Sequence, residues 1–274
     1  MSLNNADFEY ITKLVRDRSA IVLEAGKEYL VESRLLPIVR SEGCTSFADL
    51  VVRLRSPSAN GLLKRVVEAM TTNETSFFRD LHPFEVLKKT LLPELAAKRE
   101  SERRLNLWCA ASSSGQEPYS IALLLREHFP LLANWTVRFM ATDLSVEMVE
   151  RARAGRYSQL EVNRGMPAPL LVKYFQRHGV EWQVKEELRK TVEFRQMNLL
   201  DAWAALPEMD VIFMRNVLIY FDVPTKKAIL AKVRRLLRPD GYLFLGAAET
   251  TLNLDDGFER VQFDKAGCYR LRNR

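Results

Sequence analysis

Leu105–Ser120 reads LNLWCAASSSGQEPYS. An apolar run (Leu105, Leu107, Trp108, Cys109, Ala110, Ala111) stops at three serines and a glycine, passes Glu117-Pro118 and enters a second apolar run, Ile121–Leu125. Strand, small-residue loop and helix form the opening turn of a doubly wound α/β fold, where the ligand sits outside the carboxyl ends of the parallel strands. The loop carries only Gly115, so it is not G-x-G-x-x-G, and no Gly-Lys-Ser/Thr follows to make a P-loop. A phosphate-free nucleoside is favoured over a diphosphate.

Strands and helices alternate from this turn onward. Arg138–Thr142 reads as an apolar strand ending at Asp143, followed by a helix, Val146–Ala154, closed by Gly155. Val192–Phe194 and Asp210–Met214 are further strands, the second ending at Arg215-Asn216. A helix from about Pro224 to Leu237 stops at Pro239-Asp240-Gly241, before a strand Tyr242–Leu245. Phe258–Phe263 and Cys268–Leu271 read as a terminal hairpin around Ala266-Gly267. The pattern predicts an α/β, doubly wound, seven-stranded, mostly parallel sheet. The ~36 residues between Gly155 and Val192 are too long for a plain connection and read as an inserted subdomain, residues 156–192.

Upstream, residues 1–72 read as a small helical domain of four or five short helices. Phe8, Ile11, Leu14 and Val15 recur at helical spacing, as do Leu62, Leu63, Val66, Val67 and Met70; Ser56-Pro57-Ser58 and Asn60-Gly61 mark turns. Residues 73–90 form a linker and 91–274 the sheet domain, with a helix over Pro83–Leu92 across their boundary.

With 274 residues, 47% apolar and 28% charged, the chain is of soluble globular type, with room for one large core or one large and one small. No apolar run is long enough to cross a bilayer, and MSLNNADFEY lacks the basic and apolar regions of a secretory signal. Three scattered cysteines (Cys44, Cys109, Cys268) suit a reducing, cytoplasmic setting. Three scattered histidines give metal catalysis little to work with, and no metal site is expected. The net charge of +6 and pI near 9.2 suit nucleic acid or an acidic protein surface. Arg151–Arg195 holds ten Lys/Arg against five Asp/Glu; a solvated face explains it equally well.

Four places carry candidate chemistry. Glu117, on the first turn of its helix, either complements the helix dipole or binds a cationic ligand group such as an α-amino group. Asp143 at a strand end suits hydrogen bonds from ribose hydroxyls, and its alternative is a cap for the helix that begins near Ser145. Arg215–Phe221 (RNVLIYF) follows the fourth strand, and its polar start faces the same crevice unless it is a simple strand exit with Tyr220 packed as core. Asn73–Arg79 (NETSFFR) is either an interdomain joint or a lid whose arginine reaches the crevice.

Taken together, NETSFFRD, WCAASSSGQEPYSIALLL, ATDLS, NLL and IFMRNVLIYFD resemble, in order and spacing, the CheR-type chemotaxis receptor methyltransferases, which are S-adenosylmethionine-dependent protein-glutamate O-methyltransferases. The resemblance runs over nearly the whole chain, including the helical domain and GYLFLGAAE. It implies that Asn73, Thr75, Arg79, Glu117, Asp143, Asn198, Leu199, Arg215 and Asn216 bind the cofactor. Asn198 and Leu199 fall on the adenine side, and Tyr220 matches the aromatic near the transferred methyl. Arg79 and Tyr220 are the candidates for positioning the substrate carboxylate or covering the methyl. The product pair is a γ-glutamyl methyl ester and S-adenosylhomocysteine.

The implied partner is the Glu-rich, cytoplasmic helical domain of chemotaxis receptors, recognised by basic residues of the helical domain. Arg34, Arg40, Arg53, Arg55, Lys64 and Arg65 are candidates, with plain solvation as their alternative. The insert resembles the family's β-subdomain, which in some members docks a receptor C-terminal peptide through a Gly-rich loop. Here Arg177–Trp182 (RHGVEW) is short and poor in glycine, so peptide-independent recognition is expected. A monomer without nucleic acid or membrane insertion completes the reading. Two competitors stand beside it. One is an RNA methyltransferase, suggested by the basic insert but lacking an NPPY-type base pocket; the other is a non-catalytic, ligand-sensing module on the same fold.

Overall fold

The computed structural model describes residues 2–203, 206–263 and 265–272. The chain divides into two units, Met1–Thr72 with Tyr220–Thr225, and Asn73–Ile219 with Lys226–Arg274.

The first unit contains helices α1 (Asn5–Ser19), α2 (Glu28–Ser41), α3 (Phe47–Leu54) and α4 (Asn60–Ala69). Asn4 and Ser46 start α1 and α3 by accepting the Asp7 and Asp49 amides at 2.8 and 3.1 Å, which satisfies donors a helix start leaves open. The apolar stripes meet in a core that fully buries Ile11, Val15, Val31, Leu35, Leu50 and Val66. Asn60-Gly61, expected to be a turn, is the first turn of α4; the N–H groups there need no intrahelical partner, so a weak helix former is tolerated.

In the second unit, helices α5 (His82–Val86) and α6 (Leu92–Lys98) flank a π turn over Leu87–Leu91. The expected helix over Pro83–Leu92 therefore runs on through Pro93. In the widened turn the Leu92 amide reaches back to Leu87, and this accommodates a proline that cannot donate.

Among the described residues ten strands follow: β1 (Arg104–Ala110), β2 (Thr136–Asp143), β3 (Arg156–Tyr157), β4 (Phe175–His178), β5 (Glu181–Val184), β6 (Glu193–Gln196), β7 (Met209–Met214), β8 (Leu237–Leu245), β9 (Phe258–Gln262) and β10 (Gly267–Leu271). Seven make one sheet in the order β6-β2-β1-β7-β8-β10-β9, in which β10 runs antiparallel to β8 and β9 and the other pairings are parallel. Helices α7 (Gln116–His128), α8 (Val146–Ala154) and α12 (Val223–Leu236) connect the strands. The doubly wound sheet is as expected. β1 and β7 are buried almost throughout, as a strand covered on both faces must be.

β8 begins earlier than expected, at Leu237, and carries Pro239-Asp240-Gly241 inside an irregular stretch of its pairing with β7. A Cβ on Gly241 would stand 3.0 Å from the Met209 and Asp210 carbonyls, so glycine permits the close approach. At this end of the sheet buried Arg99 donates to Asp210 (2.8 Å) and Asp240 (3.0 Å), and Asp210 also accepts the Asn106 amide (2.8 Å).

The insert carries a separate three-stranded antiparallel sheet, β3-β5-β4, with helices α9 (Gln159–Asn163), α10 (Ala168–Tyr174) and α11 (Glu186–Arg189). Its buried Tyr157 and Phe175 pack edge-on against Phe77, with centroids 5.0 and 5.8 Å away. The insert thus supports the Asn73–Arg79 segment from behind.

Candidate functional site

The strand order reverses between β1 and β7, and the site is built where both strands end. Leaving β1, Ala111 (φ 55°), Ser113 (φ 48°) and Gly115 (φ 95°) all take left-handed conformations. Left-handed backbone costs least at glycine, and the loop is held from within: the Ser112 amide donates to the Thr142 carbonyl at 2.9 Å and the Gly115 amide to the Ser112 carbonyl at 3.1 Å. A Cβ on Gly115 would fall 2.9 Å from the Ala152 Cβ and 3.1 Å from the Tyr157 hydroxyl, so a larger residue cannot replace it without movement.

Two side chains tie this loop to its surroundings. The Ser113 amide donates to Asp143 Oδ2 at 2.8 Å, while the Ser145 amide donates to Oδ1 at 2.9 Å. Asp143 is therefore not the cap of α8; that role belongs to Ser145, which accepts the Met148 amide at 3.3 Å. The Ser113 hydroxyl donates to the Asn73 carbonyl at 2.8 Å and brings the NETSFFRD segment to the same place. Ser120 accepts the Phe78 amide at 2.9 Å and fixes the segment a second time.

An arginine joins three parts of the chain. Arg215, leaving β7 with its side chain 2% exposed, donates through Nη1 to Glu117 at 2.6 Å and through Nη2 to Asp80. Its Nε is buried without a hydrogen-bond partner among the described residues. Burial pushes the Glu117 carboxyl above its ordinary range, while Arg215 and then Arg79 pull it back. Glu117 does more than face the helix dipole, since it is paired across the crevice. Cys109 lies close enough to feel both charges, and burial holds it as the neutral thiol.

Glu249 closes the far side. Its Oε2 accepts the Gly246 and Asn216 amides at 2.6 and 2.8 Å; its Oε1 accepts those of Val217 and Ile219 at 2.9 and 3.3 Å. Asn216 itself is left-handed, φ 58°.

The remaining candidates are dispersed. Arg79, half-buried, donates to the Glu74 carbonyl at 3.0 Å, and Thr75 is half-buried in the same segment. Asn198 closes a turn by accepting the Leu200 amide at 3.0 Å, beside buried Leu199, and Lys232 holds the carbonyls of Leu199, Leu200 and Asp201 at 2.7–2.9 Å. Tyr220 groups with the helical unit, where its carbonyl accepts the Val22 amide. In that unit Arg34 donates to Met70, Thr71 and Thr72 and so closes the end of α4. Arg53 and Arg65 both engage Glu42, and Arg55 lies over the Tyr10 ring at 4.7 Å. Arg40 and Lys64 are exposed.

Sequence reading missed Asp80 and Glu249. Both stood inside stretches that carry the resemblance, but an acid next to an arginine, or after a strand-ending glycine, has no local pattern that separates it from a solvated one.

A strand-end carboxylate (Asp143), a buried arginine (Arg215) paired with two further carboxylates (Glu117 and Asp80) and a left-handed loop of small residues offer partners for a zwitterionic nucleoside. These features, on this strand order, define a Rossmann-like methyltransferase. Comparison with known proteins narrows the class. Residues 73–266 match the CheR methyltransferase S-adenosylmethionine-binding domain, and residues 6–71 its all-alpha domain. The chain is similar to chemotaxis protein methyltransferase 1 of Pseudomonas aeruginosa, 44% identical with 99% of this chain and 100% of the relative covered. Chemotaxis protein methyltransferase Cher2 of Pseudomonas putida is 42% identical, with 99% and 100% covered. A chemotaxis protein methyltransferase of Vibrio parahaemolyticus is 39% identical, with 99% of both covered. The chain belongs to the CheR methyltransferase family, and its cofactor is S-adenosylmethionine.

Proposed function

We propose that the protein methylates glutamate γ-carboxylates on the cytoplasmic helical region of chemotaxis receptors, giving methyl esters and S-adenosylhomocysteine. The observation that carries this reading is the join of Arg215 to Glu117 and Asp80 at the switch point of the sheet, in a chain 44% identical over its length to a chemotaxis protein methyltransferase.

S-adenosylmethionine supplies an already electrophilic sulfonium methyl. The chain's own residues hold and orient. Asp143, its carboxylate aligned by the Ser113 and Ser145 amides, accepts ribose hydroxyls. Glu117 and Asp80 receive the α-amino group, and Arg215 and Arg79 the α-carboxylate, an assignment favoured by opposite charge. Asn73 and Thr75 line the same end, and Asn198 and Leu199 the adenine side. A glutamate side chain is ionised at neutral pH, so no residue need remove a proton. Arg79 aligns the incoming oxygen with the methyl; alignment of this kind supplies much of the rate.

Arg40, Arg53, Arg55, Lys64 and Arg65 form the receptor-facing charge, while Arg34 belongs to the helical unit's own scaffold. The protein acts as a cytoplasmic monomer, and the glycine-poor RHGVEW stretch favours recognition without a receptor C-terminal peptide. The test is transfer of labelled methyl from S-adenosylmethionine to receptor-bearing membranes. Base-labile label on receptor glutamates is expected; base-stable label, or none across the host's receptors, rejects the reading.

A further inference from the structure

We infer that Glu249 is a positioning residue of the methyl-transfer site: its carboxylate clamps the segments leaving β7 and β8 and thereby sets the directions of Arg215 and Asn216. The inference rests on the cofactor-binding roles proposed above for those two residues.

One buried side chain takes four backbone donors, two on each oxygen. Three come from the segment after β7 (Asn216, Val217, Ile219) and one from Gly246, directly after β8. A chain leaving a parallel strand has no ladder partner for its amides, and buried amides left open are costly. A carboxylate is suited to this task because it is acceptor-only and offers about four lone-pair sites. The clamped amides start immediately after Arg215, whose guanidinium must reach both Glu117 and Asp80, and they include Asn216, held at φ 58°. Gly246 completes the device: a Cβ there would stand 2.7 Å from Glu249 Oε2 and 2.9 Å from the Asn216 amide nitrogen. Surface stabilisation would need none of this convergence on the two residues proposed to bind the cofactor.

Glu249→Gln tests the clamp. The amide nitrogen donates instead of accepting, so whichever way it is turned two backbone donors face a donor. Gly246→Ala is the second variant, which displaces the carboxylate without removing its charge. Three readouts are taken on the full chain: calorimetric titration with S-adenosylhomocysteine, amide hydrogen exchange, and thermal melting. Expected are binding about ten- to a hundredfold weaker, the scale for loss of a partner that orients a ligating group, and faster exchange confined to residues 216–219 and 246. Protection lost throughout β1 and β7 together with the binding marks a general folding role and overturns the inference. Asn216→Ala separates the two levels of argument. Weaker binding in Asn216→Ala with unchanged binding in Glu249→Gln overturns the clamp alone. Unchanged binding in both overturns the proposed cofactor placement and the clamp's role with it.

Discussion

Arg215 and Glu117 form an ion pair at 2.6 Å although 98 residues separate them, and the arginine side chain is only 2% exposed. Removing one partner of a buried pair strands the other charge, at a cost of about 3–5 kcal/mol. Arg215→Ala is therefore expected to melt well below wild type and to lose S-adenosylhomocysteine binding. Glu117→Gln, which keeps an acceptor, is expected to fold better than Arg215→Ala. Denaturant melts of the two variants check the order, and equal stability would refute it.

Glu117 also sets a pH sign. Its folded value is raised by burial, so the native state holds the proton over pH values where the unfolded chain has released it. This contribution to stability is present at low pH and is lost as pH rises from the unfolded to the folded value. Direct titration of Glu117 by carboxyl NMR is expected to give a midpoint above the ordinary glutamate range; a midpoint below it contradicts the dominance of burial.

Asp222 carries the opposite sign in the helical unit. Its bonds with Thr225, and then Arg16 at 2.6 Å, hold it down to about 2. The stabilisation is complete above the unfolded value of about 3.9 and disappears as pH falls through the folded one. Asp222→Asn should flatten the acid limb of a melting-versus-pH curve, and an unchanged slope removes Asp222 from that limb.

Asp143 accepts two backbone amides besides any ligand. Asp143→Ala leaves both without this acceptor and should both destabilise the protein, by about 1–3 kcal/mol for each buried donor, and weaken S-adenosylhomocysteine binding in calorimetry. Wild-type affinity in this variant excludes the ribose role.

Gly165 of the insert lies close against the NETSFFRD segment. A Cβ there would stand 2.0 Å from the Phe77 carbonyl oxygen, and its φ is 93°. Gly165→Ala is expected to shift the segment carrying Asn73, Thr75 and Arg79, raising the KM for S-adenosylmethionine and lowering the melting temperature. A variant identical to wild type in both would show that the insert does not support the segment.

The alternation of strand and helix was legible because a strand buried on both faces must be written in apolar residues, as in Leu105–Ala110, and because its exit needs small ones, as in Ser112–Gly115. Boundaries were harder. The Pro239-Asp240-Gly241 stretch reads as a turn because proline and glycine favour turns, yet β8 carries it within an irregular pairing. Asp143 was legible as a strand-end acid, but whether it or Ser145 caps α8 depends on backbone direction, which residue type does not encode.

By itself, the order of residue types determined the alternation of strands and helices, the small-residue loop after β1 and, through motif likeness, the family. Glu117 and Asp143 were legible as candidates, but tertiary structure alone brought Asp80 and Glu249 to the segments that leave β7. Arg215 meets Asp80 across 135 positions, and Glu249 meets the amides of Asn216, Val217 and Ile219 across 30 to 33. Apolar periodicity is a local property, repeated every two or three to four residues, whereas a charged side chain's partner is chosen by which parallel strands end side by side.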